Sequence, residues 1–432
     1  MRSPLTADKS MPPAPGTLGP MVNQSQPPSS SLPNAPGQRA PQDPGQGGDW
    51  HQVMSFQPQS PESARPNATR RPVIRRVLLW SAVVTVFGLA ALAMTLIVTT
   101  AVGLQAAILG MVSASLALGI VIPLFIWVDR LEAEPARLLW FAFLWGALIS
   151  TLGALVLNEL GVAFFAGRHA DPLVVGAVVV APLTEEFLKG LGVLLIFLFA
   201  KREFNGVTDG IVYAGIVAAG FAFVENIIYL GQMYLDAGPV GLVGIFIMRC
   251  LVSPFAHPMF TVCIGLALGL VAHRRRFSSV WVVLVGFACA VFLHALFNYS
   301  AVAASQYYLV LFALVQVPLF ISFLLLLRWA RNRESRLLRD TLTGYGMAGW
   351  YTPAEVAMLA SPGERRRARH WARGVGGRPA ERAMQAFQDE SGELAMVRKH
   401  LVHGGPDAVW LGREQRILEA VTAHRRVFVP QG

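Results

Sequence analysis

The sequence predicts an all-α fold, a polytopic membrane helix bundle of about eight transmembrane helices with both termini in the cytoplasm. Three observations carry this. The 432 residues are 54% hydrophobic and only 14% charged, against about 25% charged in soluble domains. The apolar residues gather between Val77 and Ala330 in stretches of membrane-crossing length, which takes about 20 residues. The loops between those stretches are basic on alternate sides only.

The expected spans lie near 77–100, 103–128, 138–160, 172–200, 207–231, 240–272, 279–303 and 306–329. Arg70, Arg71, Arg75 and Arg76 precede the first; Arg130 and Arg137 follow the second. Lys201 and Arg202 follow the fourth, Arg274, Arg275 and Arg276 the sixth, and Arg328, Arg331, Arg333 and Arg336 close the eighth. The opposite loops carry little beyond Arg168. Basic loops stay on the cytoplasmic side, which places both ends there. No apolar stretch precedes Val77, so the first span is expected to serve as an uncleaved signal anchor. The sixth span contains Ser253-Pro254 and His257-Pro258. Proline lacks an N–H and clashes with the preceding turn, so a break is expected there, with backbone groups freed beside His257.

Three regions follow. Residues 1–72 are rich in Pro, Ser, Gln and Gly, too polar to offset their ordering entropy, and are expected to be a disordered cytoplasmic tail. Residues 73–330 form the eight-span core, and 331–432 a basic, partly helical cytoplasmic tail. In that tail Thr352-Pro353-Ala354-Glu355 has the residue types of a capped helix start. The run Arg365-Arg366-Arg367-Ala368-Arg369 reads as a solvated basic face beside an anionic membrane, with partner docking as the alternative.

The net charge of +10 would suit nucleic acid, but it is spread over juxtamembrane loops and the tail, so lipid is the expected partner. Cys250, Cys263 and Cys289 lie within spans and form no CxxC pair, so no disulfide partner is expected. Arginine far outnumbers lysine, a composition of GC-rich genomes, and a bacterial plasma membrane is the expected location.

Within the spans sit four polar clusters: Glu185-Glu186-x-x-Lys189, Phe221-x-x-x-Glu225-Asn226, His257, and His294-x-x-x-Asn298. A charge in the hydrocarbon costs at least about 2.5 kcal/mol, so each is a functional candidate. Lysine occurs only at Lys9, Lys189, Lys201 and Lys399, so general usage does not explain Lys189. Glu185 and Lys189 are one helical turn apart; Glu186 is rotated by about 100°, so the two carboxylates are expected to face different neighbours. Phe221, Glu225 and Tyr229 share a face, as do His294 and Asn298. Histidine can relay protons or bind metal, and an asparagine amide can donate to an oxyanion. Each cluster has a plainer alternative, an inter-helix polar contact without chemistry. Arg249 is a further cation expected to be structural, pairing with a carboxylate or reaching outward. No HExxH or GxSxG motif is present, and Ser253 near His257 is a weak nucleophile candidate.

Together these motifs resemble the PrsW family of intramembrane proteases, itself similar to the type II CAAX prenyl endopeptidase superfamily. The resemblance covers roughly 140–300 and leaves both tails outside. Two residues depart from the wider superfamily: Lys189 stands one position earlier than its usual arginine, and Glu225 replaces the histidine of Phe-x-x-x-His. The resemblance implies an endopeptidase acting on membrane-anchored proteins, such as anti-sigma factors, in regulated proteolysis and stress signalling. It implies Glu185 as the base, Glu225 or His257 as orienting or proton-shuttling groups, and His294 and Asn298 as oxyanion donors. Glu186 and Lys189 would hold their helix in register, with Phe221 and Asn226 in support. The type of centre stays open between zinc held by Glu185, His257 and His294, and a metal-free glutamate–histidine site. Glu225 and Asn298 lie toward the outer ends of their spans, which places cleavage in the outer half of the membrane. A non-catalytic scaffold and a proton-coupled transporter are the alternatives; the lack of visible repeated halves counts against transport.

Overall fold

A computed structural model describes residues 70–131, 134–165, 171–201, 203–204, 206–272, 278–302, 305–404 and 408–428. The Pro-rich stretch up to residue 69, and Arg168, Arg202, Arg274, Arg275 and Arg276, lie outside the described residues. Among the described residues all regular structure is helical: α1 (Arg70–Val128), α2 (Ala136–Leu144), α3 (Thr151–Phe165), α4 (Pro172–Val175), α5 (Ala181–Phe199), α6 (Val207–Phe246), α7 (Ala256–Val271), α8 (Ser278–Val302), α9 (Tyr308–Leu311), α10 (Val317–Met347), α11 (Pro353–Leu359), α12 (Pro362–Gly404) and α13 (Ala408–Phe428).

Among the described residues five helical stretches are long and apolar enough to cross a membrane: Ser81–Val128, Ala136–Phe165, Val207–Val271, Ser279–Val302 and Tyr308–Met347. The α4–α5 segment is not among them, because Glu185, Glu186 and Lys189 interrupt its apolar run. Two of the five are divided. Gly103 in α1 (φ 76°) and Gly238 in α6 (φ 65°) adopt left-handed backbone inside otherwise continuous helices, a conformation glycine adopts without steric cost. They fall where the sequence places the junctions between spans one and two and between spans five and six. The expected break near Ser253-Pro254 is also present: the helical run ends at Val252 and resumes with α7 at Ala256.

α6 is the axis of the bundle. Its buried residues include Ile211, Tyr213, Val217 and Phe221, and it packs against α1, α2 and α7. The α6–α7 contact is backbone on backbone. A Cβ on Gly210 would lie 2.0 Å from the Gly265 oxygen, and one on Gly265 would lie 2.0 Å from the Gly210 oxygen. Lipid-embedded helices lack a hydrophobic drive to associate, so small residues that permit close approach supply the packing energy. This contact fixes an antiparallel register that carries the start of α7 back alongside Glu225.

Four wide, π-type turns occur among the described residues, at Trp145–Ser150, Gly176–Val180, Ile247–Val252 and Phe312–Gln316. Such turns release carbonyls from the regular ladder and recur at functional sites. Side chains take up some of them: Thr151 Oγ1 donates to Gly146 O (3.0 Å) and Ser253 Oγ to Met248 O (2.7 Å).

Beyond the apolar stretch, α10 joins α11–α13 around a second core that includes Leu342, Tyr345, Trp350, Phe387 and Leu418. The expected start of α11 is capped reciprocally: Glu355 N–H donates to Thr352 Oγ1 (3.2 Å) and Thr352 N–H to Glu355 Oε2 (2.8 Å). Arg365, in the basic run, is buried rather than solvated. Its guanidinium donates to Leu131 O (2.7 Å) at the turn after α1, and to Gln388 O, tying the tail to the core.

Gly210→Ala therefore forces two backbones apart and is expected to cost about 2–3 kcal/mol. Its melting temperature in detergent should fall well below that of wild type. Gly88→Ala, where an added Cβ meets nothing within 4 Å, should melt like wild type.

Candidate active site

Four helices each contribute one of the sequence clusters to a single polar centre. α5 brings Glu185, Glu186 and Lys189; α6 brings Phe221, Glu225 and Asn226; α7 brings His257; α8 brings His294. Lys189 lies in the middle with no exposed surface. Its Nζ is 2.8 Å from Glu186 Oε1, 3.3 Å from Glu185 Oε2 and 3.1 Å from His257 Nδ1. The Phe221 ring lies against the ammonium, 4.0 Å from Nζ to centroid, a favourable contact for a cation away from water.

Each histidine is held by a carboxylate. His294 Nδ1 is 3.0 Å from Glu186 Oε1, and His257 Nε2 is 2.8 Å from Glu225 Oε2. A carboxylate only accepts, so these nitrogens carry the protons and the opposite ring nitrogens carry the lone pairs; this tautomer assignment follows from the network. His294 Nε2 then faces Glu185 Oε2 at 3.9 Å, and His257 Nδ1 accepts from Lys189. The two rings meet edge to face at 5.2 Å, with Phe260 stacked on His294 at 5.0 Å.

The two adjacent carboxylates differ in how tightly they are held. Glu186 is fully buried and receives Lys189, His294 and the Thr261 hydroxyl, the last at 2.8 Å to Oε2. Glu185 has looser contacts: Lys189 at 3.3 Å, the Asn158 amide at 3.4 Å and His294 Nε2 at 3.9 Å. The sequence expectation that they face different neighbours holds only in part. Both reach Lys189 and His294, because Lys189 lies three and four residues away and is long enough to bridge them.

Glu225 is further fixed by Arg249, which pairs with its Oε2 and donates from Nε to Asn226 Oδ1 (2.7 Å). The Arg249 guanidinium stacks over Tyr229, 4.1 Å from the ring centroid. The wide turn at Ile247–Val252 carries this arginine back toward α6. Asn298 is placed differently: its Nδ2 donates to Ala177 O (2.8 Å), a carbonyl of the wide turn before α5. Ser253 Oγ is engaged by Met248 O rather than by a histidine. The three cysteines are free.

Sequence reading did not single out Asn158, Thr184 or Thr261. Thr184 donates to Asn158 Oδ1, which orients the amide that reaches Glu185. Asparagine at mid-span in α3 was the available signal. Thr261 had the signal of lying one turn after His257.

Glu185, His257 and His294 offer ligand atoms that all lie within 4.8 Å of one another. One carboxylate and two imidazoles is a donor set zinc accepts with a position left for water. A carboxylate behind each imidazole is the usual outer support of such ligands. The residues present fit a zinc ion.

The fold and centre together are those of a helical membrane protein with ionisable side chains converging in its apolar interior. Residues 134–326 match the family described as PrsW family intramembrane metalloprotease. The chain is 31% identical over 209 residues to Protease PrsW of Geobacillus kaustophilus (strain HTA426), covering 47% of this chain and 86% of the relative. It is 26% identical over 203 residues to Protease PrsW of Oceanobacillus iheyensis, covering 47% and 88%. With Protease PrsW of Clostridioides difficile (strain 630) it is 32% identical over 151 residues, covering 34% and 61%. No solved structure matches. The chain belongs to the PrsW family of intramembrane proteases, and it is a multi-pass membrane protein. The N-terminal stretch and most of the α10–α13 appendage lie outside the matched region.

Thr261→Val keeps shape while removing the hydroxyl that serves Glu186. Leaving that buried carboxylate oxygen unpaired is expected to cost about 1–3 kcal/mol, read as a drop in melting temperature. Thr422→Val, in α13, removes only a bond to its own helix (2.9 Å to Leu418 O) and should cost less.

Proposed function

We propose that the protein hydrolyses a peptide bond of membrane-anchored protein substrates, with Glu185 as the general base. The observation that carries this reading is the loose Glu185 carboxylate, set between Nε2 of His294 and Lys189. A base needs a free oxygen toward water, and Glu186 has none to spare. In this reading Glu186 and Glu225 hold the tautomers and orientations of His294 and His257. Arg249 and Asn226 hold Glu225, and Lys189 and Phe221 hold the centre together.

His294, once it takes up a proton at Nε2, is the residue best placed to steady charge on the scissile carbonyl. Asn298 gives one amide N–H to Ala177 O and keeps a second to contribute. If zinc is resident, Glu185, His257 and His294 hold it, and it supplies an activated water and a polarised carbonyl. In either form the carboxylates stand behind the imidazoles, and the Phe221 and Phe260 rings pack against His257 and His294.

We further read the bundle as eight crossings, the divided stretches counting twice and α4–α5 once, with both termini in the cytoplasm of a bacterial cell. The bond would be cut in the outer half of the membrane. Membrane-anchored anti-sigma factors are the substrate class the family resemblance favours, and stress signalling the process.

The test uses purified protein in liposomes with a panel of single-span peptides. Wild type should cleave, Glu185→Gln should lose about 100-fold or more in rate, and Ser253→Ala should retain activity. A Glu185→Gln variant as fast as wild type sinks the assignment. Inhibition by a chelator, reversed by zinc, places the metal in the active form.

A further inference from the structure

Lys189 lies against the candidate metal ligands. Its ammonium donates to His257 Nδ1 (3.1 Å) and lies 3.3 Å from Glu185 Oε2, so it engages two of the three candidate ligands at once. The other ring nitrogen of His257 is committed to Glu225, itself pinned by Arg249. The His257 lone pair is therefore available at Nδ1 alone, and one lone pair serves either a lysine N–H or a metal ion. The third ligand, His294 Nε2, faces Glu185 without a proton of its own.

From this geometry we propose that Lys189 is a built-in competitor for the metal: its ammonium occupies the His257 and Glu185 donors, and zinc binds only when Lys189 withdraws onto Glu186. The proposal rests on the metal-holding form of the function proposed above. It makes Lys189 the residue that sets metal affinity, keeping the centre electrically balanced when the ion is absent. Glu186 is the natural place of retreat: it already makes the shortest contact with Nζ, 2.8 Å, and is not a ligand candidate. The flexible four-carbon stem allows that swing with α5 unmoved. Two effects disfavour the ion in wild type, the loss of the lysine's contact with His257 and the repulsion between ammonium and dication in a medium of low dielectric.

The test measures zinc affinity of the full-length protein in lipid nanodiscs, by competition with a chromophoric chelator and by metal content after dialysis. Wild type, Lys189→Met, Lys189→Gln and Lys189→Arg are compared, each with its melting curve. Lys189→Met should bind zinc about 10-fold or more tightly than wild type. Lys189→Arg, which keeps the charge, should show no such gain. The gain should vanish when His294→Ala is added, which locates the ion in this centre. A merely structural lysine predicts the opposite, since damage to the centre weakens metal binding. Should Lys189→Met fail to fold, Lys189→Gln carries the same expectation, being neutral and still able to donate. Equal or weaker zinc binding in a folded neutral variant, or a gain that survives His294→Ala, overturns the proposal.

Peptide cleavage by wild type is read separately. Cleavage without tighter zinc binding in the neutral variants rejects the competitor role and leaves the protease reading standing. Tighter zinc binding without cleavage supports the competitor role and rejects the protease reading.

Discussion

The ion pair between Lys189 and Glu186 is the constraint on which the arrangement of the bundle depends. Both side chains have no exposed surface, at 2.8 Å from one another on a single helix. Removing one partner of such a pair costs about 3–5 kcal/mol, because the survivor is left charged and unsolvated. The pair alone does not satisfy either group. Lysine has further N–H donors and the carboxylate further lone pairs, and α5 cannot supply them all. They are supplied by Thr261 and His257 of α7 and by His294 of α8. The demand for partners therefore sets which helices must meet at α5, and in what rotation. Apolar contact between lipid-soluble helices would not set it, since lipid serves them as well as a neighbouring helix does.

A second layer of the same logic holds the first. Glu225 orients His257, and Glu225 would itself be a liability without Arg249. Arg249 reaches it from the wide turn at Ile247–Val252, and the chain then breaks at Ser253 before α7 begins. The break places His257 at the start of a helix and lets the following residues run antiparallel to α6, through the Gly210–Gly265 contact. The polar centre and the irregular backbone around it are thus one construction. Wide turns cost regular hydrogen bonds inside a membrane, a cost tolerated where side chains take over the freed carbonyls. Thr151, Ser253 and Asn298 are those side chains.

Much of this was legible in the sequence. Hydropathy marked the apolar stretches, and the junctions read near 100–103 and 231–240 contain Gly103 and Gly238. Ser253-Pro254 announced the break. Charged residues inside apolar runs announced the centre, because so few side chains can sit there without a partner. What stayed hidden has identifiable causes. Arg249 lies 24 residues from Glu225, and only the turn at Gly238 and the wide turn after it bring them together. Thr261 and Thr184 were easily passed over, because a threonine hydroxyl in a helix usually serves its own backbone. The destination of Asn298 depended on a π-type turn at Gly176–Val180, and residue preference does not distinguish such a turn from an ordinary helix. The burial of Arg365 was missed for a related reason. A run of arginines reads as a solvated face, and only the turn at Leu131 shows that one of them is enclosed.

The contrast between the adjacent glutamates follows from a one-residue offset. Glu186 is three residues from Lys189 and Glu185 is four. Both separations place a carboxylate on the same side as the lysine, but the 100° between them turns Glu186 toward α7 and α8 and leaves Glu185 nearer α3. On its side Glu186 finds a hydroxyl, an imidazole and an ammonium. Glu185 finds the Asn158 amide, at 3.4 Å and itself held by Thr184, with Lys189 at 3.3 Å and the imidazole only at 3.9 Å. Neighbouring carboxylates with the same local sequence thus come to differ in the property that divides their work. One is saturated and fixed; the other keeps acceptor capacity in a centre that already carries two imidazoles. The difference therefore rests on two things at once, the spacing of Glu-Glu-x-x-Lys and the hydroxyl and imidazole that α7 and α8 turn toward Glu186.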